Sequence, residues 1–191
     1  MGREFELKYR ATADQIAGIR EKYGSFREIS METAYYDTPD RSLSARKWTL
    51  RRRLENGASV CTLKTPGKNG ARGEWETEQK EILSAVPVLC KLGAPAELER
   101  LTASGVEQVC AARFTRLAAP IATENGTLEL ALDQGVLLGG RQQLPLCEVE
   151  VELKDGSESA AEAFAEKLAA EFGLIPEHAS KFKRALALAS K

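Results

Sequence analysis

The sequence predicts an α+β fold in which a large antiparallel sheet carries helices on its apolar side. Apolar and charged residues alternate with period two in most segments, which is typical of strands with one buried face. Two Asn-Gly pairs, at 56–57 and 125–126, each separate two alternating segments and predict antiparallel hairpins. Helical spacing is limited to short segments, some of which start with capping residues. Strands therefore form the framework and helices its cover.

The composition is that of one soluble globular domain. The chain has 191 residues, of which 43% are hydrophobic and 29% charged, and no long linker or internal repeat divides it. We therefore expect a single domain over residues 1–191. No run approaches the roughly 20 apolar residues of a membrane span, and the first ten residues lack the apolar stretch of a secretory signal. A cytoplasmic protein without a membrane partner is predicted.

Net charge and cysteine content exclude further classes. The 27 basic and 28 acidic residues nearly cancel, whereas proteins that bind nucleic acid through counterion release usually show a basic excess. No nucleic-acid partner is expected. The cysteines form no Cys-x-x-Cys pair, so we interpret them as buried apolar residues rather than as zinc ligands or a disulfide framework. They are Cys61, Cys90, Cys110 and Cys147.

The first half of the chain combines short strands with one helix. Thr12 and Gln15 form a capping box for a helix over Ala13–Tyr23, which Gly24 ends. A Gly-rich loop over Pro66–Gly73 leads into the last strand of this half. The predicted strands are Arg3–Arg10, Met31–Thr38, Lys47–Leu54, Ser59–Thr65 and Arg72–Lys80.

The second half begins with helices and then returns to strands. Residues Ser84–Ala112 mix apolar and polar residues and predict helices that break near Gly93–Pro95 and Ser104–Gly105. A turn at Gly139–Gly140 separates the last two of the strands that follow. These strands are Phe114–Thr123, Thr127–Asp133 and Leu146–Lys154.

Two helices are predicted at the end of the chain. Ser159 and Glu162 form a second capping box, and the apolar positions after it define a helix face that ends at Phe172. Pro176 then opens a last helix that runs through Leu188.

Charged residues of both signs share one face on nearly every predicted strand, while apolar residues occupy the other face. By the parity of the strands, the members of this ionic face are Glu4, Glu6, Lys8, Arg51, Arg53, Thr62, Lys64, Arg72, Glu74, Glu76, Glu129, Asp133, Glu148, Glu150 and Glu152. Two architectures fit the pattern: a sheet whose ionic face is solvated, or a closed barrel whose charges face inward. Burying so many ions in a dry core would cost several kcal/mol for each, roughly, unless they were paired. Cross-strand ion pairing and a wet tunnel for a charged ligand are both compatible with the sequence.

The residue types on this face suit phosphate chemistry. Glutamates two apart on one strand place their carboxylates roughly 7 Å apart on the same side, so glutamates of neighbouring strands can converge on a hard divalent cation. Arginine and lysine donate to phosphate oxygens, and arginine can bind two of them at once. A bound Mg²⁺ or Mn²⁺ would offset the repulsion between carboxylates and phosphates and could activate a water.

Nine segments, in this order, resemble the CYTH-domain proteins of the triphosphate tunnel metalloenzyme family. The opening motif Glu-x-Glu-x-Lys stands at Glu4, Glu6 and Lys8. The later motifs are YYDT at 35–38, LRRR at 50–53, TLK at 62–64, RGEWE at 72–76, Arg116 after Phe114, LELALDQG at 128–135, CEVEVEL at 147–153 and SK at 180–181. The resemblance spans almost the whole chain.

The resemblance implies an eight-stranded antiparallel closed β-barrel, a tunnel with a charged interior and helices packed on the outside. It implies that the basic residues that hold phosphate are Lys8, Arg51, Arg53, Lys64, Arg72, Arg116 and Lys181. The metal ligands it implies are Glu4, Glu6, Glu150 and Glu152, with Glu148, Glu129 and Asp133 as further acidic residues. The catalytic residues on this reading are Glu4, Glu6 and Lys8, with Glu74 and Glu76 orienting water, metal or the basic residues.

Three residues within the matched motifs, Arg52, Asp37 and Lys181, also have interpretations that need no function. Arg52 points away from Arg51 and Arg53 by parity and is expected on the surface. Asp37 and its neighbours are equally compatible with a simple turn, and Lys181, without the resemblance, would be read as a solvated helix residue.

The function that the resemblance implies first is hydrolysis of inorganic triphosphate to pyrophosphate and phosphate with Mg²⁺ or Mn²⁺. Alternatives are a thiamine or nucleoside triphosphatase, an adenylate cyclase, and a polyphosphate-binding module without catalysis. The expected partner is a small triphosphate, and the protein is expected to be a monomer or homodimer. Many bacterial relatives carry a helical CHAD domain after this one, and the chain is expected to lack it.

Overall fold

The computed structural model describes residues 5–66 and 72–189, without the side chain of Arg72. Glu4 and most of the predicted loop over 66–73 therefore lie outside the described residues. The strands are β1 (Glu6–Arg10), β2 (Arg27–Asp37), β3 (Thr49–Glu55), β4 (Ala58–Pro66), β5 (Arg72–Glu78), β6 (Glu107–Thr123), β7 (Gly126–Gly139), β8 (Gln142–Gly156) and β9 (Ile175–Pro176). The helices are α1 (Ala13–Tyr23), α2 (Ser42–Ala45), α3 (Ile82–Lys91), α4 (Glu97–Thr102), α5 (Glu158–Phe172) and α6 (Lys181–Ala189).

One curved sheet forms the framework, which confirms the α+β class. Its order is β5-β4-β3-β2-β6-β7-β8-β1-β9, and every described pairing is antiparallel. Within residues 5–66 and 72–189 no pairing joins β5 to β1, so the tunnel wall is open between these strands. The outer edge of β1 is taken by β9, and the Glu177 amide donates to the Lys8 carbonyl at 2.8 Å. The edge that would close the barrel is thus partly occupied by the chain itself.

Local sequence signals account for several of these elements. The Thr12 hydroxyl accepts from the Gln15 amide at 3.2 Å, and the Gln15 side chain accepts from the Thr12 amide at 2.8 Å, which confirms the capping box of α1. Asn56 and Gly57 adopt φ angles of 49° and 89°, as the tight turn between β3 and β4 requires. Both predicted Asn-Gly hairpins are confirmed.

The helical prediction over Ser84–Ala112 is wrong for its last residues. Helix α4 and all of α3 except its first two residues lie within it, but Glu107 already begins the 17-residue strand β6. Strand β6 pairs with β2 along one edge and with β7 along the other. This pairing on both edges fixes an extended backbone where the local helical preference is weak.

The predicted starts of the last two helices also need correction. Ser157 caps α5, since its hydroxyl accepts from the Ala160 amide at 3.3 Å; Ser159 lies inside the helix. Pro176 belongs to β9 rather than to the last helix, because the chain there is hydrogen-bonded to β1. Helix α6 begins only at Lys181, where the Ser180 hydroxyl accepts from the Lys183 amide at 3.1 Å.

Two apolar cores on the outer face of the sheet agree with the predicted arrangement. One lies beneath α1 and α5 and contains Leu128, Leu130 and Val151. The other lies beneath α3 and α4 and contains Leu50 and Leu63. None of the helices in the described ranges is long and apolar enough to cross a membrane.

A third core lies on the inner face and departs from the prediction. Ile29, Met31 and Tyr35 of β2 face inward and pack with Phe182 and neighbouring residues of α6. Helix α6 therefore fills part of the barrel interior, whereas all helices were expected outside. On β2 Glu28 and Glu32 are exposed on the outer face, whereas Arg27, at the start of the strand, lines the interior.

The cysteines behave as predicted. All four are free thiols; Cys61 and Cys110 are buried, and Cys90 and Cys147 are half-buried. Burial raises the pKa of Cys61 to about 11 and that of Cys110 to about 12, so both remain protonated and unreactive at neutral pH.

Candidate active site

The inner faces of the strands and α6 enclose a cavity of about 1180 Å³. Strands β1 to β8 all contribute to its wall, and so does α6. The ionic residues of the described chain that line it are Glu6, Lys8, Arg27, Lys47, Arg51, Arg53, Glu55, Lys64, Glu74, Glu76, Arg116, Glu129, Glu150, Glu152, Lys154, Lys181 and Lys183. Most of the inward-facing charges predicted from strand parity thus share one cavity. Asp133 and Glu148 are absent from its lining, and Glu4 and the Arg72 side chain lie outside the described residues.

A basic wall is formed by Arg51 and Arg53 on β3 and Lys64 on β4. Lys64 Nζ lies 3.2 Å from Glu74 Oε2, and Arg53 Nη1 lies 2.9 Å from Glu55 Oε1. The Nε atoms of Arg51 and Arg53 are buried and have no hydrogen-bond partner among the residues that the structure describes. Burial lowers the pKa of Arg51, and the neighbouring Arg53 lowers it further. Each cation of this wall has a carboxylate of β3 or β5 within 4 Å, and the Nε donors of the two arginines remain without a described partner.

Glu74 and Glu76 lie on β5, beside the basic wall. Arg51 Nη2 lies 3.7 Å from a Glu74 carboxylate oxygen and 3.8 Å from one of Glu76. Glu76 also accepts from the Thr62 hydroxyl at 2.9 Å. These geometries suit the orienting of basic residues, which is one of the roles expected for this pair.

A group of three carboxylates, from Glu6, Glu129 and Glu152, lies across three adjacent strands. We call it the looser acidic group. Register places Glu152 of β8 beside both Glu6 of β1 and Glu129 of β7. Lys154 Nζ lies 2.8 Å from Glu152 and 3.7 Å from Glu129, and Lys8 Nζ lies 3.2 Å from Glu6. These carboxylates keep about a quarter of their side-chain surface exposed, at 23–28%.

A buried ionic network lies where α6 meets the sheet. We call it the α6 network; its carboxylates are Asp133, Glu148 and Glu150, and its cations are Arg116, Lys181 and Arg184. Lys181 Nζ contacts all three carboxylates, at 2.9 Å from Asp133 and 2.6 Å from Glu150, and it also contacts Glu148.

The two guanidinium groups complete the α6 network. Arg116 binds Asp133 through two hydrogen bonds, of 2.8 and 2.7 Å, and reaches Glu150 at 2.5 Å. Arg184 donates to Glu148 at 2.5 Å. The side chains of Asp133 and Glu148 have no exposed surface.

Electrostatics in the α6 network are strongly coupled. Burial opposes ionisation of Glu150, but Lys181 and Arg116 outweigh it and hold the pKa of this carboxyl well below its usual range. Burial also disfavours the charged ammonium of Lys181, yet Glu150, Asp133 and Glu148 raise its pKa above the ordinary value. Each of these two charges is therefore stabilised by the other.

The structure also tests the simpler interpretations of Arg52, Lys181 and Asp37. Arg52 donates from Nη1 to the Lys80 carbonyl at 2.9 Å and is absent from the cavity lining, as predicted. Reading Lys181 as a solvated residue is wrong, since only 11% of its side chain is exposed. Asp37 is more than a turn residue: its buried carboxylate accepts from the amides of Thr38, Leu43 and Ser44.

Three cations that line the cavity or pair in the α6 network escaped the sequence analysis. Arg184 follows Lys181 by three residues, which puts both on one face of a helix. Lys154 follows Glu152 by two residues on the same strand face. Lys47 was placed within a strand, although it lies before β3 in the turn after α2.

Two acidic groups offer the oxygen donors that Mg²⁺ and Mn²⁺ prefer. The carboxylates of Asp133, Glu148 and Glu150 approach within 4.8 Å of one another, but Lys181, Arg116 and Arg184 already bind them. Glu6, Glu129 and Glu152 are more loosely paired and partly accessible. The chemistry of the donor set fits a hard divalent cation at the second group.

Comparisons with known proteins identify a family that covers most of the chain. The CYTH domain family matches residues 2–186. Over 165 residues the chain is 32% identical to the inorganic triphosphatase of Haemophilus influenzae, covering 85% of this chain and 47% of that protein. Over 170 residues it is 28% identical to the human thiamine-triphosphatase, covering 89% of this chain and 67% of that protein. The chain thus spans about half the length of the first relative.

Solved structures share the fold. A protein of Pyrococcus horikoshii matches with a TM-score of 0.62 and 26% identity, covering 98% of this chain and 99% of that one. A candidate adenylyl cyclase of Hippeastrum matches with a TM-score of 0.64 and 17% identity, covering 100% and 95%. At 17% identity, the similarity to the Hippeastrum structure shows the fold alone.

Proposed function

The chain belongs to the CYTH domain family, and on that premise we propose that it hydrolyses inorganic triphosphate to pyrophosphate and phosphate with Mg²⁺ or Mn²⁺. The observation that carries the proposal is the basic wall, where Arg51, Arg53 and Lys64 line one cavity and the Nε donors of both arginines have no described hydrogen-bond partner. The triphosphatase activity of the Haemophilus influenzae relative supports it. The charge of the wall matches a small polyanion.

The residues of the basic wall bind and orient the phosphate chain in this proposal. Arg51 and Arg53 donate to phosphate oxygens, and Lys64 adds a third cation, each held in place by a carboxylate on β3 or β5. Lys8 and Arg72 complete the set of phosphate contacts that we propose. Arg116 and Lys181, which the resemblance also implies as phosphate contacts, are instead bound by the carboxylates of the α6 network. Fixing the chain in this way brings its terminal phosphorus into line for attack by water.

The divalent cation is assigned to the looser acidic group. Glu4, Glu6 and Glu152 would hold it, with Glu129 and Glu150 adjoining. When bound, a divalent cation neutralises phosphate charge and lowers the pKa of a coordinated water. The glutamates themselves fix the position of negative charge opposite the basic wall, and Lys8 and Lys154 limit the mutual repulsion of these carboxylates.

Thiamine triphosphate is the second candidate substrate. The human relative is a thiamine-triphosphatase, and a smaller cavity of about 380 Å³ adjoins the main one through shared lining residues Arg27, Glu129 and Lys154. Its other lining includes Ala118, Pro120 and Leu128. An apolar annex of this kind suits an organic group attached to the phosphates.

Phosphate release from purified protein tests both candidates. Tripolyphosphate, thiamine triphosphate and ATP should each be supplied with Mg²⁺, with Mn²⁺ and with EDTA. We expect the highest kcat/KM for tripolyphosphate and no turnover in EDTA. A higher value for thiamine triphosphate would favour the second candidate, and formation of cyclic AMP would favour a cyclase. Binding of tripolyphosphate without turnover under any metal would indicate a binding module.

The substitution Glu6→Gln, like Glu4→Gln, should abolish metal-dependent turnover because it removes one carboxylate of the proposed metal site. We expect a loss of at least about a hundredfold in kcat with little change in the unfolding midpoint, since Glu6 is partly exposed. Glu28→Gln, on the exposed outer face of β2, is the matched control. Unchanged metal-dependent rates in Glu6→Gln would reject the assignment.

A further inference from the structure

Lys47 occupies a backbone conformation that normally favours glycine. It follows α2, and its φ of 59° lies in the left-handed region. The Trp48 amide donates to the Leu43 carbonyl, and the Lys47 amide donates to the Ser44 carbonyl, both at 2.9 Å. This hydrogen-bond pair is the Schellman motif, whose left-handed position is usually glycine. A lysine here costs stability relative to glycine.

The side chain of Lys47 faces the cavity that contains the basic wall. It is exposed and forms no ion pair or hydrogen bond with the side chains of residues 5–66 and 73–189. Ser44, one helical turn earlier, also lines the cavity. Its Oγ is buried and lacks a hydrogen-bond partner within the described ranges. An ammonium and a hydroxyl, both unused by the protein, therefore adjoin the same space.

The short helix α2 is held rigidly, which fixes both groups. Asp37 Oδ1 accepts from the Leu43 amide at 3.0 Å, and Asp37 Oδ2 accepts from the Ser44 amide at 3.1 Å. Asp37 has no exposed surface. A buried carboxylate that binds two backbone amides defines the position of the helix strongly. The backbone that carries Ser44 and Lys47 is thus preorganised.

Strand register places these residues at the end of the cavity nearest α6. Thr49, at the start of β3, pairs with Lys64, and Leu50 pairs with Tyr36. The ring of Tyr35 lies 5.1 Å, between centroids, from the ring of Phe182 on α6. Lys183 of α6 lines the same cavity, is exposed and forms no ion pair with the side chains that the structure describes. Positive charge without a described partner therefore collects at this end.

We propose that Ser44 and Lys47 form an additional phosphate-binding site at the α6 end of the cavity. The site takes the outermost phosphate group of a linear phosphate chain whose other groups lie on Arg51, Arg53 and Lys64. The lysine ammonium supplies the charge and the serine hydroxyl donates a hydrogen bond. This inference rests on the proposed function in that its ligand is the same inorganic triphosphate.

The substitution Lys47→Gly separates binding from stability. Glycine relieves the left-handed strain, so the midpoint of thermal unfolding should rise. At the same time the KM for tripolyphosphate, and its Kd in EDTA by calorimetry, should each rise about three- to tenfold, as expected for one partly solvated charged contact. Lys47→Arg should keep the wild-type KM, and Ser44→Ala should raise it about two- to fivefold.

Arg41→Gly is the matched control. Arg41 is also left-handed, with φ of 61°, and flanks the other end of α2. Its side chain pairs with Glu107 at 2.8 Å and is absent from the cavity lining, so its loss should leave KM and Kd unchanged. Wild-type KM and Kd in both Lys47→Gly and Ser44→Ala, beside an active wild-type protein, would overturn this inference alone. A wild-type protein that neither binds nor hydrolyses tripolyphosphate would overturn the proposed function as well.

Discussion

The basic wall and the α6 network are built from the same residue types but differ in how fully their charges are paired. In the α6 network Lys181, Arg116 and Arg184 lie 2.9 Å or less from their carboxylates. In the basic wall Arg53 lies 2.9 Å from Glu55 and Lys64 lies 3.2 Å from Glu74, but Arg51 lies 3.7 Å from its nearest described carboxylate. The Nε atoms of Arg51 and Arg53 have no described hydrogen-bond partner.

This difference in pairing gives the two regions different roles, one in stability and one in ligand binding. A buried charge with several close partners is fully compensated, and removing one partner exposes the others to the full cost of burial. An arginine that leaves N–H donors without a described partner, as Arg51 and Arg53 do, keeps donors for an external anion. The α6 network therefore fastens α6 inside the barrel, whereas the basic wall is prepared for a ligand, although strand parity alone assigns both to one ionic face.

The largest expected effect is on stability, from Lys181→Met. This change leaves Asp133, Glu148 and Glu150 without their shared ammonium, and loss of one partner of a buried ion cluster costs about 3–5 kcal/mol. Urea denaturation measures the free energy of unfolding. Lys183→Met, two residues along the same helix and exposed, is the control, with a change below about 0.5 kcal/mol. If Lys181→Met lowered the free energy of unfolding no more than the control does, the structural role assigned to the α6 network would be wrong.

A smaller effect is expected on binding, from Arg53→Ala. Loss of a charged hydrogen bond to phosphate should weaken tripolyphosphate binding by about 1.5–3 kcal/mol, measured as Kd by calorimetry. Arg52→Ala, the outward-facing neighbour on β3, should bind as the wild-type protein does. Equal affinities of the two variants for tripolyphosphate would show that the inward position of Arg53 on β3 does not bring it into contact with the ligand.

The sequence predicts the parts of this arrangement that depend on local signals. The capping box at Thr12 and Gln15, the turn at Asn56 and Gly57, and the inward parity of Arg51 and Arg53 each follow from a few adjacent residues. These features need no knowledge of distant partners.

Features that depend on distant partners could not be predicted in the same way. Glu107 begins a strand because β2 and β7 pair with it, and α6 enters the barrel because β2 and β6 present apolar residues inward. The role of Lys181 is set by carboxylates more than 30 positions away along the chain. Such contacts leave no periodic signal near the residue itself.

The central claim is that phosphate binds the basic wall while the divalent cation binds the looser acidic group. An anomalous difference map from a crystal soaked with Mn²⁺ and tripolyphosphate tests it most directly. We predict a manganese peak beside Glu6 and Glu152, phosphate density on Arg51, Arg53 and Lys64, and Lys181 still bound to its three carboxylates. A manganese peak among Asp133, Glu148 and Glu150, with Lys181 displaced from them, would contradict the account.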